Sequence, residues 1–157
     1  IGTIILPAFT VMLGGILFGW AKPVPVNPSN LRNPKKDMLW VALAGPFSNL
    51  LMAIFWVILF TRLQFFPDNS ILFLSAMALA GIKINLILMI LNMLPIPPLD
   101  GGKVAASLLP YPWSSHLENL ERYGLFIIIF LLFSGVLGNI LYPLINVSEG
   151  IIFAIFG

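Results

Sequence analysis

Cysteine is absent from this 157-residue chain, and charge is scarce. Without a thiol there is neither a disulfide framework nor a thiolate metal site. Charged residues make up 9% of the chain, against about 25% in soluble domains. Hydrophobic residues reach 59%, and mean hydropathy is +1.01. No water-soluble fold of this length hides so much apolar surface, so the composition predicts an integral membrane protein. Lys and Arg total 8 and Asp and Glu total 6, a net charge of +2 with no basic stripe. That balance argues against nucleic acid as a partner. Internal repeats and low-complexity tracts are also missing. The chain opens at Ile1 inside an apolar run, with no basic n-region and no small-residue cleavage site, so it is not a signal peptide. It is expected to be a piece of a longer polypeptide.

What is present is four apolar segments. Ile1–Trp20 is interrupted by Pro7 and Gly14-Gly15, and it either spans or forms a broken, re-entrant piece packed inside protein. Met38–Phe60 is long enough as a helix to cross about 30 Å of hydrocarbon. Ile71–Leu94 follows, interrupted by Lys83, Asn85 and Asn92. Leu125–Ile145 is the fourth, and the apolar tail Ile151–Phe156 is too short to span. The predicted fold is an all-α integral membrane protein: a single membrane-embedded domain over residues 1–157, a polytopic helical bundle of three to four transmembrane helices.

The connections differ in kind. Ala21–Asp37 is proline-rich, then basic, and Pro23 and Pro25 favour extended backbone, either an edge strand or a polyproline II segment. Pro67-Asp68-Asn69 predicts a turn. Pro95–Tyr123 is expected to hold a short helix near Gly102–Leu109 capped by Asp100, and another near Ser114–Arg122 capped by Ser114 or Ser115. Lys22, Arg32, Lys35 and Lys36 in the first connection, against Arg62 alone in the second, place the first and third connections in the cytoplasm. Asp100 is then on the cytoplasmic side of a multi-pass protein of the cell membrane.

Asn92-Met93-Leu94-Pro95-Ile96-Pro97-Pro98-Leu99-Asp100-Gly101-Gly102 is the most informative stretch. A run that should cross the bilayer ends in prolines, and a lone carboxylate follows. Ionisable groups near membrane depth are functional candidates by default. The prolines fix the backbone around Asp100, and Gly101 and Gly102 admit close neighbours. Asp-Gly-Gly is equally an ordinary turn and helix cap. Asn85, Met89 and Asn92 share one helix face. That face either lines a reaction cavity, with Asn92 donating to a peptide carbonyl, or makes hydrogen bonds between helices. An ionised carboxylate suits Zn²⁺, but one carboxylate is not a site, since a catalytic zinc takes three protein ligands. His116, the only histidine, sits in a polar loop and is expected to be solvated. No His-Glu-x-x-His occurs. Ala42 to Asn49 opens the second segment with small residues that let helices approach closely, and Pro46 is tolerable near a helix start.

Ala44-Gly45-Pro46-Phe47-Ser48-Asn49 resembles the A-G-P-x-x-N element of the site-2 protease family, the intramembrane zinc metalloproteases. Asn92 to Gly102 resembles that family's N-x-x-P-x-P-P-L-D-G-G element. Phe18 to Asn27 is similar to the stretch before the A-G-P helix in compact bacterial-type members. The resemblance covers about Ile1 to Lys103. It implies that Asp100 is the third zinc ligand and that Asn92 positions substrate or steadies the oxyanion. It implies substrate contacts for Asn49, Pro95 and Pro98 and a structural role for Gly45, Pro46, Gly101 and Gly102, with Asn49 and a Gly45-Pro46 turn shaping the core bundle. The Pro23–Asn27 strand would pair with an unwound substrate. The family's other two ligands and its general base lie on an upstream H-E-x-x-H helix, which this sequence does not contain. The implied activity is hydrolysis of peptide bonds in transmembrane substrates by a zinc-activated water. The implied cofactor is Zn²⁺, and the implied partners are a transmembrane protein or peptide and the lipid bilayer. The alternatives are a non-catalytic membrane scaffold or degenerate protease that binds transmembrane helices, and a transporter part using Asp100 as an ion site.

Overall fold

A computed structural model of the chain describes residues 32–65 and 71–157. The first apolar segment, the Pro23–Asn27 strand and the Pro67-Asp68-Asn69 turn lie outside the described residues. Five helices follow within them: α1 (Pro34–Leu63), α2 (Ile71–Asn92), α3 (Asp100–Leu108), α4 (Trp113–Phe133) and α5 (Val136–Phe156). Among the described residues there is no strand. The all-α expectation holds, and α1, α2 and α5 are long and apolar enough to cross a membrane.

α1 starts earlier than the hydrophobic run because its first turn is built for starting. Pro34 occupies the first helical position, where the missing N–H costs nothing. The Asn33 N–H donates to Asp37 Oδ2 at 3.0 Å, and the Asp37 N–H donates to the Asn33 carbonyl at 2.8 Å. Arg62 in the last turn complements the helix dipole. Pro46 is therefore not near a helix start, and Gly45-Pro46 is not a turn: both lie well inside a 30-residue helix. An interior proline leaves the carbonyl four residues back, at Ala42, without its helical donor. Membrane helices tolerate this where neighbours cover the gap, and Pro46 is buried.

The bundle closes over a thin seam. Ala53 and Val57 of α1, Ile82 and Leu86 of α2 and Ile152 of α5 form one buried cluster. Alanines at 42, 53 and 78 are buried, which lets the helix backbones approach closely. Outside the seam the spans expose large apolar side chains such as Phe47, Phe55 and Phe73, as lipid-facing surfaces do. The Phe60 and Phe153 rings meet edge to face at 6.0 Å. Ile58, Thr61, Arg62, Phe65 and Phe156 share a pocket. α1 and α5 thus run parallel, with their C-terminal ends together.

The fourth apolar segment is not one span. The chain breaks at Ser134-Gly135, where Gly135 takes φ 73°, a left-handed conformation that stops α4 and launches α5. The Leu125–Ile145 run is divided between two helices, and Ile151–Phe156 is the last turn and a half of a 21-residue helix. Hydropathy averaged over a window does not see the break, because both sides of it are apolar. The predicted helix at Ser114–Arg122 likewise does not end at Arg122. It continues as α4, and Pro112, not a serine, precedes it.

Candidate functional site

The two motifs meet. α2 ends at Asn92, and the chain folds back at once through tight turns. The Met93 N–H donates to the Met89 carbonyl at 3.1 Å, Ile96 N–H to Leu94 carbonyl at 2.7 Å, and Leu99 N–H to Ile96 carbonyl at 3.0 Å. α3 then starts, and the Gly102 N–H donates to the Leu99 carbonyl at 3.0 Å. Leu99, not Asp100, precedes the helix, and no side-chain capping bond forms. Asp100 is in the first turn, where a carboxylate is favoured by the helix dipole.

Glycines make this turn possible. A methyl group at Gly101 would strike the Met93 and Leu94 backbone carbonyl groups. One at Gly102 would lie 2.5 Å from the Pro97 nitrogen, and one at Gly124 of α4 would run into the Pro97 carbonyl oxygen. The partner admitted by Gly101 and Gly102 is thus the chain's own proline loop. The same loop is pressed from the far side by α4 at Gly124, a position the sequence reading did not single out.

The Asp100 carboxylate is held between two elements. A methyl group on Gly45 would fall 2.9 Å from Asp100 Oδ2, so Gly45 leaves room for that oxygen against α1. Asp100 Oδ1 is 3.6 Å from Lys103 Nζ, one turn along α3. Both side chains are partly exposed. Lys103 is a second neighbour that the motif reading passed over, although a Lys three residues after an Asp is a helical pairing signal. The start of α1 is tied to the same end, since Lys35 Nζ donates to the Leu109 carbonyl at 3.0 Å.

The remaining candidates sort themselves by place. Asn92, the last residue of α2, is half-buried. Among the described residues no hydrogen bond joins its amide to Asp100. Asn85 donates within its own helix, from Nδ2 to the Gly81 carbonyl at 2.8 Å. Asn49 is half-buried one turn after Gly45, and Pro95 and Pro98 are exposed on the loop. Lys83 is exposed on α2, and His116 is exposed beside Trp113 on α4. Next to the motif, Trp40, Leu43, Ala44, Phe47, Met89 and Met93 line an apolar cavity of about 600 Å³.

Among the described residues no three His, Cys, Asp or Glu side chains come together. Asp100 offers one hard oxygen donor of a kind zinc accepts, and the described residues by themselves do not hold the ion.

Comparison with known proteins gives a consistent picture. Over 155 residues the chain is 32% identical to YwhC of Bacillus subtilis, covering 96% of this chain and 70% of that protein. Over 142 residues it is 32% identical to Rip2 of Mycolicibacterium smegmatis, covering 89% of this chain and 52% of that protein. A shorter match to MJ0611 of Methanocaldococcus jannaschii reaches 44% over 64 residues, 41% of this chain and 31% of that protein. The words zinc metalloprotease stand in the names of all three. No protein-family profile and no solved structure matches the chain.

Proposed function

This chain belongs to the site-2 protease-like family of zinc metalloproteases, and on that footing we propose that it forms part of the membrane core of an intramembrane zinc endopeptidase. The observation that carries the reading is the convergence of the two motifs, with the Asp100 carboxylate lodged against Gly45. A carboxylate in the first helical turn after a proline loop, one oxygen over a glycine and the other beside an ammonium, is a held group. Asp100 serves as one zinc donor. The other donors lie outside the residues described.

The neighbouring side chains take the substrate. Asn92, at the end of α2, donates its amide to a peptide carbonyl of an unwound transmembrane segment. Asn49, Pro95 and Pro98 border the same approach. A helical substrate hides its own backbone groups, so it must open before cleavage. The Asp100 end faces the cytoplasm, because Arg32, Lys35 and Lys36 begin α1 there while Arg62 alone marks its other end.

The test uses the full-length protein in membranes or detergent. Zinc content by elemental analysis and cleavage of a transmembrane-segment reporter are measured for wild type and Asp100→Ala. The expected result is stoichiometric zinc and cleavage in the wild type. The variant should lose cleavage to background and most of its zinc, with helix content by circular dichroism unchanged. An Asp100→Ala protein that still cuts refutes the donor role. A metal-free wild-type protein that binds the reporter without cutting it supports a scaffold instead.

A further inference from the structure

We infer that α4 does not cross the bilayer. Its C-terminal half, Leu125–Phe133, lies along the membrane surface at the Asp100 end, with an aromatic row sunk into the boundary between headgroups and acyl chains. The inference rests on α1, α2 and α5 being the spans.

The argument is one of position. α1 and α5 are parallel, and their C-terminal ends meet around Phe60, Phe153, Arg62 and Phe156. α5 is 21 residues long with Pro143 inside it, at most about 31 Å, which reaches from its C-terminal end to the opposite end of the bundle and places Val136 towards that end. That is the end where α1 begins. Three other points fix α4 to the same end. Its start follows Leu109, which accepts from Lys35. Its middle, Gly124, packs on Pro97 and Pro98 in the loop after α2. Its last residue, Phe133, is separated from α5 by Ser134 and Gly135 alone. An upright helix of 21 residues would have carried Phe133 to the far end. It does not, so α4 runs across the end of the bundle.

The side chains say what covers it. Gly124 faces the protein. The outward face carries Glu118, Asn119 and Arg122 in the first half of the helix and aromatic residues in the second. Phe126, Phe130 and Phe133 are 71%, 70% and 86% exposed, and their spacing of i, i+4, i+7 puts them on one side. The row continues into exposed Val136 and Ile140 on α5, part of the surface that a span shows to lipid. Leu125–Phe133 carries no polar residue, so the polar anchor is the first half of α4, where Glu118, Asn119 and Arg122 hold the helix at the headgroups while the apolar half sinks to the headgroup–acyl boundary, about 5–10 Å deep for in-plane helices. Glu118 and Glu121 stay in water, with Arg122 and Tyr123 at the transition. Because Gly124 abuts Pro97 and Pro98, this strap fixes the depth at which the proline loop presents Asp100.

The chain contributes no cysteine of its own, and any cysteine elsewhere in the full-length protein is replaced by serine before single-cysteine labelling. The full-length protein is placed in phosphatidylcholine vesicles with nitroxide labels at Phe126→Cys, Phe130→Cys and Phe133→Cys. Oxygen and a water-soluble nickel chelate serve as relaxation agents. The expected result is one shallow depth shared by all three labels, with Ile84→Cys and Phe55→Cys on the spans reading deep. A depth that increases by about 10 Å from 126 to 133 overturns the inference in favour of a span. Labels shielded from both agents overturn it in favour of a protein cover. In a second arm, an impermeant maleimide should reach Ser134→Cys from the face that labels Lys36→Cys. Labelling from the face that reaches Gln64→Cys overturns the inference. Shallow readings at Ile84 and Phe55 overturn the spanning assignment itself, and the inference with it.

Discussion

At Gly45 the group that a methyl would meet is the Asp100 carboxylate, at 2.9 Å; at Gly81 it is the Trp56 indole, at 2.5 Å. Both glycines open a notch in the α1–α2 pair, and the notches hold opposite kinds of guest. The indole is a rigid ring packed between two spans beside the apolar seam, and its gain is contact area. The carboxylate is the flexible end of a charged side chain delivered by the first turn of α3, and it gains little by packing. A protein built only for stability has reason for the indole notch and none for the carboxylate notch. The difference separates a region that holds the bundle together from one that holds a chemical group in place.

Asn92→Ala should give the largest effect after loss of Asp100 itself. If its amide steadies a developing oxyanion, cleavage falls by about 10²–10³-fold while zinc content and thermal stability stay near wild type. Loss of zinc from this variant would move Asn92 to the supporting side of the comparison. Gly45→Ala comes next. The added methyl does not fill a void; it pushes the carboxylate by a few tenths of an ångström or more. A misplaced reacting group can cost up to about a hundred-fold in rate, so cleavage should drop steeply with stability nearly unchanged. Gly81→Ala should invert that pattern. The indole cannot yield without repacking, and overfilling of this kind costs about 1–3 kcal/mol. Unfolding in mixed detergent should register the loss, while cleavage per folded molecule remains. Equal behaviour of the two glycine variants would erase the distinction between the notches.

The sequence made most of this legible because hydrophobic length and prolines act locally. Met38–Phe60 and Ile71–Leu94 were visible as spans, and the helix after Leu99 was predicted within two residues of Asp100–Leu108. Three features were not legible, each for a physical reason. The start of α1 at Pro34 is set by the Asn33–Asp37 exchange, which lies in polar sequence outside the apolar run. The break at Ser134-Gly135 depends on one backbone angle inside unbroken hydrophobicity. The packing of Gly124 on the proline loop joins residues far apart in sequence, and a single glycine in a helical pattern carries no address. For the site, Asp100 and Gly45 were each singled out, but their contact was not foreseen.

Lys103 offers the finest test of how the carboxylate is held. Its ammonium is 3.6 Å from Asp100 Oδ1, and neither side chain is buried. Exposed pairs of this kind contribute about 0–1 kcal/mol, so Lys103→Met should move stability by less than about 1 kcal/mol. Its effect on cleavage should be small beside that of Gly45→Ala. The two variants differ in mechanism, and salt tells them apart. Charges at an exposed site are screened over about 8 Å at physiological ionic strength, so the gap between wild type and Lys103→Met should narrow as salt is raised. The Gly45→Ala defect is steric and should persist unchanged. A Lys103→Met defect that ignores salt would assign its role to the packing of the aliphatic stem. The carboxylate would then be held by shape on both sides.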